Sequence, residues 1–235
     1  MLSNFKKRSF PIQLIALLCF IVVALGYKQI IYKTYGQVII LNGPSSSGKS
    51  SIQKAFQELY LPHCWAKLGI DQLLDKAMPD VTAHTMHLWQ TKNSIRWVTS
   101  KTDAEKNPVI TLHLGTEGEK IMRGMNAAIA AYAKAGCNVI VDYIAYDQSW
   151  IEDLKNQLQN IKTTWIKVCI PLEVLEERER IRGTSPVGHA RSHYHSVYDN
   201  IHYNLTVNSA EQTPQEIATH IKNYLDKQSS NHSGK

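Results

Sequence analysis

Gly43-Pro44-Ser45-Ser46-Ser47-Gly48-Lys49-Ser50 is the stretch of this chain whose residue types and spacing say most about chemistry. It satisfies G-x-x-x-x-G-K-[ST] at every fixed position, the pattern of a loop that cradles a nucleotide's phosphates. Small residues let successive backbone N–H groups converge on phosphate oxygens, and a helix N-terminus behind them adds a favourable dipole. The Lys49 ammonium neutralises phosphate charge, the Ser50 hydroxyl is a ligand for Mg²⁺, and Ser51 follows as part of the same nucleotide-contacting segment. ATP with Mg²⁺ is the expected pair. Two carboxylates could complete this chemistry. Asp142 ends the apolar run Asn138-Val139-Ile140-Val141, where it would face the loop and orient the magnesium shell, unless it is an ordinary capping residue. Asp71 follows Gly69-Ile70 at the end of a second apolar run, where it could accept a proton from a substrate hydroxyl. It could also cap the next helix, and the two roles are compatible.

The elements that must position these groups are readable from periodicity. The β-branched run at 37–41 predicts a strand that ends in the loop, and 50–59 predicts a helix, the context the motif requires. Residues 64–70 predict a second strand and 71–77 a helix closed by Pro79. Residues 95–99 and 109–114 are apolar-alternating runs around a polar turn, a β-hairpin insertion. Ile121, Met125, Ile129 and Tyr132 recur at helical spacing within 117–135, and Gly136 stops that helix before a strand at 138–141. A helix (148–159), a strand (163–170), a charged helix (172–181) and a final strand and helix follow. Alternation of this kind implies an α/β fold, a parallel sheet with helices on both faces.

The chain has 235 residues, of which 43% are apolar, enough for one core. Its formal charge is +6, but residues 1–35 hold five basic residues and no acid, leaving 21 basic against 20 acidic residues in the rest. A near-neutral globular part has no broad field for a nucleic-acid backbone, so no nucleic-acid partner is expected. The four cysteines lack a CxxC spacing and read as buried thiols. Residues 1–35 read as a membrane anchor or signal segment, 36–226 as the phosphate-loop domain, kinase-like in organisation, and the polar tail 227–235 as disordered. After the basic cluster at 6–8, residues 10–27 are uncharged and mostly apolar. They predict a single-pass N-terminal helix in the membrane, with export and cleavage near Gly26 as the alternative. The positive-inside rule would place the catalytic part opposite the cytoplasm, where ATP is scarce, and Lys28 and Lys33 soften that asymmetry.

Several ordered stretches extend the reading: Ile39-Ile40-Leu41-Asn42-Gly43, Ser45-Ser46 and Gly48-Lys49-Ser50; Gly69, Asp71 and Ala77-Met78-Pro79; Ala135-Gly136; Ile140-Val141-Asp142; and Glu176, Arg178, Glu179, Arg182-Gly183, Gly188 and Ala190. In their order and spacing across residues 37–225 the chain resembles the chloramphenicol phosphotransferase family of antibiotic kinases. The resemblance implies a nucleotide-kinase-like fold, ATP with Mg²⁺, and a general base at Asp71. It also implies an arginine-bearing lid over the phosphates, matched by Arg178 and Arg182 and assisted by Arg191, although salt bridging along the charged helix is the other use for such arginines. Two departures stand out. Gly183-Thr184-Ser185 replaces the Gly-Asp-Arg of the family's lid, and the segment with Trp89, Trp97 and the hairpin looks little like the antibiotic enzyme. The expected activity is therefore transfer of the γ-phosphoryl group of ATP to a hydroxyl of a small molecule other than chloramphenicol. A membrane-anchored nucleotide switch or NTPase without such an acceptor is the alternative. His189, His193 and His195 cluster beside Arg191; without an acidic ligand at a recognised spacing they read as lid or nucleotide contacts rather than a metal site.

Overall fold

Val38, Ile39, Ile40 and Leu41 are all 0% exposed, as a β-branched run covered on both faces must be. They form β1 (Val38–Asn42) at the centre of the sheet in a computed structural model that describes residues 35–73, 75–103 and 106–233. The chain continues as α1 (Lys49–Leu59), β2 (Trp65–Gly69) and α2 (Ile70–Leu73). A short helix α3 (Met86–Trp89) then precedes a hairpin of β3 (Ile95–Thr102) and β4 (Pro108–Leu114). Next come α4 (Thr116–Lys134), β5 (Asn138–Tyr143), α5 (Gln148–Gln157) and β6 (Thr163–Cys169). The last elements are α6 (Leu172–Arg182), α7 (His189–His193), β7 (Leu205–Asn208) and α8 (Pro214–Ser233).

Five strands form one parallel sheet in the order β2-β5-β1-β6-β7, and the hairpin is a separate antiparallel pair. The crossovers cover both faces. On one, Met122, Met125 and Ile129 of α4 and Ile151 and Leu154 of α5 pack on Ile40, Val139 and Val141. On the other, Ile52 and Phe56 of α1 and Ile217, Ile221 and Leu225 of α8 pack on Ile39, Leu41, Ile140 and Ile166. Fully buried aliphatic and aromatic side chains of this kind each contribute roughly 1.5–3 kcal/mol, so the two layers hold the sheet rigidly beneath its carboxyl edge. That edge carries the site.

The predicted α/β architecture and hairpin are present, with four differences. The helix expected over 71–77 is split into α2 and a 3-10 turn at Asp75–Ala77, and Cys64 and Cys137, expected to be buried, are exposed. Asp71 does not cap the second helix: α2 already includes Ile70, so Asp71 lies in its first turn, beside the strand end rather than ahead of the helix. The tail predicted to be disordered continues α8 through Ser233. A helix anchored by Ile217, Ile221 and Leu225 propagates one bond per residue at little cost, and Ser229 and Ser230 Oγ bond back to Leu225 O and Asp226 O. The expected N-terminal membrane helix falls outside the described residues. Among the described residues, no helix is long and apolar enough to cross a membrane.

Candidate active site

The loop between β1 and α1 turns sharply at two residues of positive φ, Ser46 (64°) and Gly48 (89°). Gly48 takes that conformation at no steric cost, whereas Ser46 holds it at about 1 kcal/mol. The buried Ser46 hydroxyl has no hydrogen-bond partner among the described residues, which suits a loop shaped for a ligand's oxygens. Lys49 is 4% exposed and donates to the carbonyls of Gly43 (3.0 Å) and Pro44 (2.7 Å). Its Nζ also lies 3.4 Å from Asp142 Oδ1. Burial lowers the Lys49 pKa, and the Asp142 carboxylate opposes that shift.

Asp142 reaches the loop because of strand register. On β5 it pairs with Leu41 of β1 on one side and Gly69 of β2 on the other, so its side chain emerges at the carboxyl end of the three central strands. A Cβ at residue 69 would sit 3.1 Å from Asp142 Cβ and 2.8 Å from Gln72 Oε1, so glycine keeps the neighbouring strand end close. Gln53 of α1, fully buried, donates to the carbonyls of Leu68 (2.6 Å) and Ile140 (2.9 Å) and ties β2 and β5 to the helix that starts in the loop. Ser50 Oγ donates to Asp142 Oδ2 at 2.6 Å. A hydroxyl and a carboxylate side by side are hard oxygen donors, and they fit Mg²⁺, which takes one or two protein ligands and fills its shell with phosphates and water. Among the described residues no group of three or more His, Cys, Asp or Glu could hold a metal by itself.

A cavity of about 740 Å³ opens over the loop. Ser45, Ser46, Gly48, Lys49, Ser50 and Ser51 floor it, Asp71 and Asp142 stand on one side, and Arg178 and Arg182 on another. Arg178 is held against Ser209 through Nη1 to Oγ (3.3 Å) and Nη2 to the carbonyl (2.8 Å), which leaves it over Gly48 rather than paired with the acids of its own helix. Arg182 Nη2 lies 3.5 Å from Asp71 Oδ2; with side chains 42% and 60% exposed, that contact is weak and easily exchanged.

Residues 36–226 match the sequence family described as chloramphenicol phosphotransferase-like protein. The chain belongs to that family. A curated relative from Mycobacterium tuberculosis, which carries the provisional name O-phosphotransferase, is 26% identical over 79% of this chain and 80% of its own length. The fold is that of solved kinases. An APS kinase from Mycobacterium tuberculosis, solved with AMPPNP and APS, superposes with a TM-score of 0.53 at 14% identity, covering 82% of this chain and 98% of that one. A gluconokinase from Sinorhizobium meliloti gives 0.51 at 16% identity, covering 85% and 97%.

Against this family background, most of the residues singled out from sequence converge on one cavity. Three loop positions do not line it: Gly43 and Pro44 supply carbonyls to Lys49, and Ser47 is fully buried beneath, with its Oγ 3.4 Å from the Lys49 ammonium. Arg191, expected among the nucleotide contacts, is instead bound through Nε to Glu176 and through Nη1 to Asp103, and these carboxylates raise its pKa. With its guanidinium held by two acids, Arg191 fastens α7 to α6 and to the hairpin turn.

Sequence reasoning gave no role to Glu179, Tyr146 or the turn at Ser209, and it named His193 only within the cluster read as lid or nucleotide contacts. Glu179 is 1% exposed and accepts from the N–H groups of Gly188 (2.8 Å) and Ala190 (2.7 Å), fixing the bend that follows the arginine helix. Burial raises its pKa and those hydrogen bonds oppose the rise. His193 accepts from the Ser45 N–H through Nε2 at 3.1 Å. Burial holds its pKa well below the usual value, so the ring stays neutral and able to accept. Tyr146 hydrogen-bonds His189 Nε2 at 2.8 Å. Finally, the turn from Ser209 to Pro214 walls the cavity, and it is fixed by a capping box in which Thr213 N donates to Glu216 Oε2 (2.7 Å) and Glu216 N to Thr213 Oγ1 (3.3 Å). Thr213-Pro214-Gln215-Glu216 was the available sequence signal for that turn.

Proposed function

We propose that this protein is an ATP-dependent phosphotransferase whose acceptor is a hydroxyl of a small molecule other than chloramphenicol. The observation that carries the reading is the position of Asp71. It stands at the rim of the phosphate-loop cavity within reach of Arg182, and the same carboxylate also lines a neighbouring cavity of about 280 Å³. An acceptor in the second cavity can thus present its oxygen to a phosphoryl group in the first. In the proposed step Asp71 takes the hydroxyl proton, the new O–P bond forms at that oxygen, and the bond from the γ-phosphorus to its bridging oxygen breaks, leaving ADP. Lys49, Arg178 and Arg182 stabilise the charge on the transferring group. Ser50 and Asp142 would hold Mg²⁺, which when bound supplies further charge neutralisation on the phosphates.

Asp71→Asn tests this reading. Transfer of labelled γ-phosphate to product should fall by about 10²-fold or more while the Kd for ATP stays at the parent's value. Equal turnover in variant and parent would remove Asp71 from the reaction.

A further inference from the structure

Two cavities continue the site away from the loop. The 280 Å³ cavity shares Ile70, Asp71, Ile144 and Arg182 with the phosphate side and adds Trp97, Tyr146 and His189. A third, about 530 Å³, shares Lys76, Ile95, Trp97 and Leu112 with the second and runs on to Met78, Met86 and Trp89. The three cavities adjoin through shared walls and are taken together as one groove, with Trp97 lining both the second and the third.

The groove's chemistry changes along its length. At Asp71 it is polar; past Ile95 and Leu112 its walls are aromatic and thioether. Trp97 is 45% exposed and Met86 42%, while Trp89 is fixed in place by Nε1–H bonding to the Pro79 carbonyl at 3.0 Å. Apolar area left open beside a polar reaction centre suits a partly apolar ligand. The outer cavity also has a charged lining in which Lys76 and Arg96 outnumber its single carboxylate, Asp80. Arg96 Nε is buried, and among the described residues it has no hydrogen-bond partner. Arg96 also lines this cavity, where its planar guanidinium can meet a carboxylate.

Resting on the phosphotransferase reading above, we propose that the acceptor is an elongated amphipathic alcohol. Its hydroxyl sits at Asp71, its aromatic body crosses Trp97, and a carboxylate at its far end is received by Arg96 with Lys76 nearby. The outer cavity, rather than the space beside Asp71, then sets which alcohols are accepted.

The test uses the full chain and three probes: benzyl alcohol, hydroxymethyl-biphenyl and hydroxymethyl-biphenyl carboxylate. Affinity is read from tryptophan fluorescence with a non-hydrolysable ATP analogue bound, and KM from labelled γ-phosphate transfer. The biphenyl carboxylate should bind about tenfold or more tighter than benzyl alcohol. Arg96→Met should erase the advantage of the carboxylate over the plain biphenyl, about tenfold, and leave nucleotide affinity unchanged. Trp97→Leu should weaken both biphenyls and spare benzyl alcohol. Equal affinity across the three probes, or a carboxylate preference that survives Arg96→Met, would overturn the proposal. Selective binding of the long carboxylate without phosphate transfer would support the groove assignment and defeat the transfer reading instead.

Discussion

Lys49, which opens α1, and Asp142, near the end of β5 in the five-stranded sheet, are 4% and 8% exposed. At the other end of the site, Trp97 is 45% exposed on a two-stranded hairpin that adds no strand to that sheet, and the Asp71 side chain is 60% exposed. The phosphate end is preorganised: its charges are desolvated and hydrogen-bonded, so they act at low local dielectric with little reorganisation. The hairpin end, which we propose receives the acceptor, is more open and carries exposed apolar side chains. One scaffold can therefore keep its phosphate chemistry constant while the hairpin and its approach residues change the acceptor, which matches a family resemblance strong at the loop and weak around Trp89 and Trp97.

The largest effect should come from the preorganised end. Lys49→Ala removes the ammonium that lies between the loop carbonyls and Asp142, and phosphoryl transfer should drop by about 10³-fold. Rapid-quench measurement of labelled γ-phosphate transfer checks it. A loss smaller than that of Asp71→Asn would reverse the assignment of which end carries the chemistry.

That asymmetry also decided what could be read from the sequence. The loop, β1, α1 and Asp142 form a local pattern: a motif of eight contiguous residues between a β-branched run and a helix, with a carboxylate ending another such run. Burial of β1 on both faces makes its apolar run continuous, so the signal was strong. Although the clustering of His193 with His189 and His195 does point to lid or nucleotide contacts, the particular contacts of Glu179 and His193 gave no such signal. Their roles depend on contacts with Gly188, Ala190 and, across 148 positions of sequence, Ser45, and nothing in local spacing reports these. Arg191 is a related case: the family resemblance placed it with the lid, while the fold pairs it with Glu176 and Asp103.

Glu179→Gln asks how much of the phosphate end's order is borrowed from the bend after α6. Both carboxylate oxygens accept backbone N–H groups, and an amide can accept through only one. The variant should lose about 2 kcal/mol in urea unfolding, and hydrogen exchange should rise at Gly188 and Ala190 before it rises in β1. Uniform exchange across the sheet would mean that bend and loop unfold as one unit, and the contrast between rigid and adaptable ends would fail at that point.

The smallest effect lies where the two ends meet, in the ring cluster of Trp97, Tyr146, His189 and His193. Burial lowers the His189 pKa to about 4, and the cationic Lys49 and Arg182 push it the same way. The unfolded chain protonates this ring near its usual value, so below about pH 6.5 the unfolded state binds a proton that the folded state refuses. Stability contributed by the neutral ring is thus complete above pH 6.5 and is lost as pH falls toward 4; at pH 5.5 one such histidine costs about 1.4 kcal/mol. His193, also depressed by burial, adds to the same slope. His189→Phe keeps an aromatic ring against Trp97 but has nothing to titrate. Its unfolding free energy should therefore fall less steeply than the parent's between pH 6.5 and 4.5, by the equivalent of one proton, when both are followed by urea denaturation. Superimposable pH profiles would show that water reaches His189 in the folded state, and the junction would then belong with the open acceptor end rather than with the buried phosphate end.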